Sequence, residues 1–147
     1  MRIVVDTNVV FSAMLNTDSR IARIILQPAT GFNFYSTEKL LSELEEHSGK
    51  LKDISGYSES EYKKVYNLFT RKIRFINIHL IPKQVYIKAL SLTEDVDVDD
   101  TEFVALTEHI KGKFWSGDKE LRRGLVCKGW DKFVFLEDLY EMVRSKK

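Results

Sequence analysis

The residues best suited to chemistry are carboxylates, and two of them stand in the same setting. Asp6 follows the β-branched run Ile3-Val4-Val5, and Asp118 follows Lys113-Phe114-Trp115-Ser116-Gly117. A short continuous apolar run fits a strand buried on both faces of a parallel sheet. In open α/β sheets, ligands bind in the crevice outside the carboxyl ends of the strands. If these two strands are parallel neighbours, both carboxylates lie at one edge. A third acidic group comes from the run Glu94–Asp100, which leads into the helix just ahead of the Lys113–Ser116 strand. A fourth lies one to two turns into an earlier helix, at Glu43 or Glu46, which share a face, so spacing does not choose between them. Carboxylates crowded in this way repel one another unless a divalent cation screens them. Oxygen-only ligands point to Mg²⁺ or Mn²⁺. Such ions activate water and stabilise the leaving oxygen in phosphodiester hydrolysis.

The elements that must position these groups alternate along the chain. After the first strand, Val9–Leu15 and Ile21–Leu26 read as helical segments broken near Asn16–Ser19, with Pro28 and Gly31 ending the unit. Phe32–Ser36 predicts a second strand, and Thr37 caps a helix whose apolar face is Leu40, Leu41 and Leu44. Ser48–Gly56 is polar, contains two glycines and reads as a loop. Ser58 and Glu61 have capping-box spacing and open a helix with Tyr62, Val65, Tyr66 and Phe69 on one face. Phe75–Ile81 predicts a third strand stopped by Pro82, followed by a helix from Lys83 to Thr93. Phe103, Leu106, Thr107 and Ile110 mark the helix after the acidic run, closed by Gly112. Another helix runs from Asp118 to about Gly124. Phe133–Phe135 is a fifth strand, and Leu136, Leu139, Tyr140 and Val143 form a last amphipathic helix before an RSKK tail. Alternation of this kind argues for an α/β sandwich around a mostly parallel sheet.

The totals limit the function classes. With 44% hydrophobic and 31% charged residues, a chain of 147 residues is expected to fold as one globular domain over 1–147. A net charge of +1 gives no global basic field, so nucleic acid would have to be met by a local patch. Cys127 is the sole cysteine, which excludes an intrachain disulfide and suits a reducing compartment. No stretch approaches 18 apolar residues and the first residues read as a strand, so no membrane association and a cytoplasmic location are expected. His79 and His109 lack zinc-ligand spacing, Cys127 lacks a nucleophile setting, and Trp115 reads as core.

Four stretches together resemble the PIN-domain nucleases over nearly the full length: VVDTN at Val4–Asn8, Ser42-Glu43-Leu44, the D-x-x-F-V-A-L stretch at Asp100–Leu106, and W-S-G-D at Trp115–Asp118. The resemblance implies a three-layer α/β sandwich with a five-stranded sheet in the order 3-2-1-4-5. It implies that Asp6, Glu43, Asp100 and Asp118 bind Mg²⁺ or Mn²⁺ and are the catalytic set, with Asn8 and Ser116 supporting them. The implied activity is endonucleolytic cleavage of single-stranded RNA, leaving 5′-phosphate and 3′-hydroxyl ends. Many small stand-alone members are toxins of toxin–antitoxin pairs, so a protein antitoxin and a homodimer are the implied partners.

Asp100 is favoured over Asp97 and Asp99 because it lies three residues before the Phe103 anchor, although Val98 stands where the family often has proline. The family position selects Glu43 and leaves Glu46 as a solvated charge. Lys119, Arg122 and Arg123 begin the helix beside the acidic edge and, with Arg71, Lys72 and Arg74, are candidates for phosphate contacts. His47 and Lys50 are candidates one turn beyond Glu43. Two other classes compete. A PIN-like module could bind RNA or protein without cutting, but all four acidic positions are filled. A phospho-acceptor receiver domain would want adjacent acids at the first strand and a lysine at the end of the fifth, and the chain has neither.

Overall fold

The structure is a computed structural model that describes residues 1–27 and 31–145. Its centre is a five-stranded sheet in the order β3-β2-β1-β4-β5, with every neighbouring pair parallel. The strands are β1 (Arg2–Val5), β2 (Asn33–Thr37), β3 (Ile73–Ile76), β4 (Lys113–Trp115) and β5 (Phe133–Val134). Ile3, Val4 and Val5 are fully buried, as the middle strand of a sheet covered on both faces must be.

The helices are α1 (Thr7–Leu15), α2 (Arg20–Leu26), α3 (Glu38–Glu46), α4 (Ser48–Ser55), α5 (Glu59–Thr70), α6 (Lys83–Thr93), α7 (Thr101–Ile110), α8 (Lys119–Cys127) and α9 (Leu136–Ser145). They fall into two packed groups. α1 touches α2, α3, α4 and α5, and α2 carries α9; α6 packs along α7 and meets α8. Right-handed crossovers from a sheet of this order place helices on both of its faces. α7 lies against β1, β2 and β4, with Phe103 and Leu106 buried and the Phe103 ring beside that of Phe114. The strand order reverses between β1 and β4, so their carboxyl ends flank the topological switch point.

Several boundaries differ from the sequence expectation, each for a local reason. Ser48–Ser55 is a helix, because Leu51 supplies a fully buried anchor and Gly56, at φ 78, closes it in the left-handed conformation. The third strand begins earlier, at Ile73, and the expected stretch through Ile81 is interrupted. Asn77 accepts a hydrogen bond from the His79 amide at 2.9 Å and turns Ile78–Leu80 into a single 3₁₀ turn. The Ser58–Glu61 capping box is formed as expected. Pro28 and the last two lysines of the tail lie outside the described residues.

Gly112 does not close α7 by adopting a positive φ. Lys111 takes that conformation, at φ 55, and Gly112 serves the next step. A Cβ on Gly112 would stand 2.7 Å from the Arg2 carbonyl oxygen, so the missing side chain lets β4 come up beside β1. The division of labour is testable by urea unfolding. Gly112→Ala is expected to cost about 1–3 kcal/mol through overpacking against backbone. Lys111→Gly is expected to gain about 1 kcal/mol by relieving a left-handed non-glycine residue. Equal and small effects in both variants would overturn this assignment.

Candidate metal centre

Asp6 sits where β1 hands over to α1. Its Oδ1 accepts a hydrogen bond from the Val9 amide at 2.9 Å, which makes it the N-cap of α1. The side chain is almost fully buried, at 3% exposure. Burial pushes its carboxyl up to about 6, against the opposing hydrogen bonds from the Ser116 hydroxyl and the Val9 amide; the charges of Asp118 and Glu43 push further upward.

The register pairs Val5 with Trp115, so the residues that leave β1 and β4 emerge side by side. Asp118 caps α8, with its Oδ1 accepting from the amides of Glu120 at 3.0 Å and Leu121 at 3.1 Å. Ser116 joins the two acids. Its hydroxyl bonds the Asp6 carboxylate, and its Oγ accepts from the Asp118 amide at 3.1 Å.

The acidic run supplies two carboxylates. One oxygen from each of Asp97, Asp100 and Asp118 lies within 4.8 Å of the others. Asp100 has its carboxyl pushed up to about 8, first by burial and then by the charges of Asp97, Asp6 and Asp118. Asp99 points elsewhere: it is exposed, 3.9 Å from Lys39 Nζ. Choosing Asp100 over Asp97 from the sequence therefore divided two residues that converge in space. The reason is the 3₁₀ turn over Val98–Asp100, where the Asp100 amide bonds the Asp97 carbonyl at 3.2 Å.

This loop is tied down on several sides. The hydroxyl oxygens of buried Thr93 and Thr101 lie 2.6 Å apart at its base. Lys39 donates to the Asp99 carbonyl at 2.5 Å, while Lys128 donates to the Leu92 carbonyl at 2.9 Å and pairs with Asp95. A Cβ on Gly124 would stand 2.7 Å from Val96, so α8 packs directly onto the loop.

Glu43 is half-buried on α3 and accepts a hydrogen bond from the Thr7 hydroxyl at 2.7 Å. It contributes charge to Asp6 but stands outside the group of three oxygens. Thr7 lies inside the VVDTN stretch, yet a buried threonine next to an acid gives no sequence signal of which partner it will bond. Glu46, His47 and Lys50 are exposed, and so is Asn8, which lines the cleft beside Asp118. Among the described residues no hydrogen bond joins the Asn8 side chain to these carboxylates.

The basic candidates separate into two places. Lys119, Arg122 and Arg123 line a cleft of about 860 Å³ that opens from Ser116–Asp118. Arg71 and Lys72 precede β3, which puts them at the amino-terminal edge of a parallel sheet, opposite the acids; Arg74, within β3, lies against Tyr35. They do not belong to the acidic edge. His79 and His109 are exposed and stand outside the carboxylate group. Cys127 is exposed at the cleft and not in the core, whereas Trp115 is core, at 2% exposure.

The donor set is oxygen only, and two of its members hold their protons more tightly, first because they are desolvated and then because like charges surround them. A hard divalent cation fits such a set, since it relieves the repulsion that raises both groups. No curated protein matches the chain. The family model for the PIN domain matches residues 4–136, which takes in the second half of β1, the other four strands and every carboxylate described above. The chain belongs to the PIN-domain family, a family of nuclease-type function.

Proposed function

We propose that this protein is a Mg²⁺- or Mn²⁺-dependent endoribonuclease that hydrolyses single-stranded RNA. The observation that carries the reading is the convergence of Asp97, Asp100 and Asp118 within 4.8 Å, beside buried Asp6, at the switch point of the sheet. Asp6, Asp100 and Asp118 would hold the ion, with Asp97 as a further ligand and Glu43 completing the negative environment. The bound cation supplies Lewis acidity at the scissile phosphate and a more acidic water. The chain's own residues do the positioning. Ser116 fixes the mutual orientation of Asp6 and Asp118, Thr7 fixes Glu43, and the cations of α8 hold the substrate backbone. Water is added across the P–O3′ bond, leaving a 5′-phosphate and a 3′-hydroxyl.

The biological role that suits this reading is the toxin of a toxin–antitoxin pair, cytoplasmic, with a protein antitoxin and a second copy of the chain as partners. Residues 1–147 act as one domain in it. Among the described residues no helix is long and apolar enough to cross a membrane.

Cleavage of a mixed single-stranded RNA by the purified protein is expected to need Mg²⁺ or Mn²⁺ and to stop with EDTA. Asp6→Asn keeps the helix cap and should lower the rate by at least about a hundredfold, the size of effect expected when a preorganised electrostatic group is lost. Asp97→Asn should also impair cleavage, and Asp99→Asn should not. Full activity of Asp6→Asn, or cleavage in EDTA, would sink the assignment.

A second expectation concerns stability. Asp6 and Asp100 have folded-state pKa values above their unfolded ones, so their contribution is most favourable below about pH 4. It is lost as pH rises through about 6 for Asp6 and about 8 for Asp100. The upward move of about two units at Asp6 corresponds to about 3 kcal/mol lost by pH 8. Metal-free protein should therefore melt higher as Asp100→Asn than as wild type at pH 8, by about 3 °C per kcal/mol recovered. Mn²⁺ should raise the wild-type melting temperature more at pH 8 than at pH 5, because ionised carboxylates are the ligands. Calorimetry showing no pH dependence of the Mn²⁺ effect would count against a carboxylate-held ion.

A further inference from the structure

The cleft beside Asp118 has a composition that the carboxylate cluster does not account for. Its floor is apolar, built from Val9, Ile21, Val126 and Leu136, and its wall carries Phe135 with the Arg122 guanidinium 4.1 Å above the ring centre. The other charges near the rim have partners: Arg123 pairs with Glu120 at 3.4 Å, and Glu137 with Arg20 at 3.0 Å. Among the described residues no ion pair engages Arg122 or Lys119. Two uncompensated cations thus stand over an apolar floor, in a cleft continuous with Ser116 and Asp118.

We propose that this cleft is a nucleotide subsite that takes the unpaired base next to the scissile phosphate. A guanidinium seated over an aromatic ring offers a planar, delocalised stacking surface to a base, while its N–H groups stay available to phosphate. The base lies against the Arg122–Phe135 pair, and Lys119 with Arg122 meets the flanking phosphate. A paired base cannot enter such a cleft, so the subsite gives the site its bias toward single strands. An apolar peptide would suit the floor but would leave both cations unmatched, which favours the nucleotide. The position next to the scissile phosphate rests on the nuclease reading; the binding of a nucleotide does not.

The test uses the full chain in EDTA, with each of the four nucleoside 5′-monophosphates as probe and ribose 5-phosphate and inorganic phosphate as controls, followed by two-dimensional NMR. Mononucleotides are expected to shift amides of residues 117–127 and 135–137 and to bind more tightly than either control. Phe135→Leu and Arg122→Gln should each weaken mononucleotide binding by roughly five- to a hundredfold, the range for loss of one base-stacking surface, with Phe135→Leu leaving phosphate binding unchanged. Arg122 is exposed, so its variant stays informative should the aromatic substitution disturb packing. Equal binding of phosphate and nucleotides, shifts elsewhere, or displacement only by an apolar peptide would each overturn the subsite. The RNA cleavage assay on the unmutated protein separates the two readings. Nucleotide binding by wild-type protein that cleaves no RNA with Mg²⁺ or Mn²⁺ keeps the subsite and removes the nuclease, whereas metal-dependent cleavage without nucleotide binding does the reverse.

Discussion

Like-charge crowding at the carboxyl ends of β1 and β4 is the constraint on which the rest of the structure depends. Asp6 is buried and feels the charges of Asp118 and Glu43, and half-buried Asp100 feels those of Asp97, Asp6 and Asp118. Left to themselves these groups would swing apart into water. They are held by rigid parts: the β1–β4 register, the α1 cap on Asp6, the α8 cap on Asp118, and the Ser116 hydroxyl between them. Each helix amide donated to a carboxylate stabilises the charge locally, so the site keeps its shape without removing the mutual repulsion. The fold therefore carries an unfavourable interaction that cation binding would offset, which is how a binding site stores affinity.

The acidic loop shows the same division between position and repulsion. Of the two valines within Glu94–Asp100, Val98 is exposed and Val96 packs where Gly124 leaves room. Lys128 and Lys39 bind carbonyls of residues flanking the loop's acids, Leu92 and Asp99, and so fix the backbone without neutralising Asp97 and Asp100. α8 thus has two tasks. Its C-terminal half steadies the acidic loop, and its first turns carry Asp118 and the cations of the cleft.

Much of this was legible in the chain. Ile3–Val5 ending in Asp6 and Phe114–Trp115 leading to Asp118 carried both the central strands and two of the carboxylates, because burial on two faces leaves an uninterrupted apolar signature. The strand order came through the family resemblance, and the structure has it. What stayed hidden depends on local backbone turns and on which sheet edge a residue reaches. Asp97 alternates with Asp95 and Asp99 in the sequence, and only the 3₁₀ turn aims it at Asp118. Arg71 and Lys72 look like partners of Arg122 in composition, but a parallel sheet sends the starts of its strands to the far edge. Ser48–Ser55 was disguised by Gly49 and by a single apolar anchor, too weak a periodicity to compete with its polar surroundings.

A net charge of +1 conceals how strongly the molecule is polarised at this edge. Carboxylates crowd the switch point, while Lys119 and Arg122, in the first turns of α8, make no ion pair among the described residues. For a polyanion these two regions act in opposite senses. The cleft attracts it, and the ionised cluster repels it at the very place where a phosphate would have to sit. The opposition disappears only when the cluster is neutralised, whether by protons or by a divalent cation. On the proposed function, metal and nucleic acid would be positively linked ligands, since a bound cation would convert the most repulsive part of the edge into an attractive one. That linkage follows from the charge arrangement alone, and it makes the apolar floor of the cleft the part of the interaction least sensitive to either.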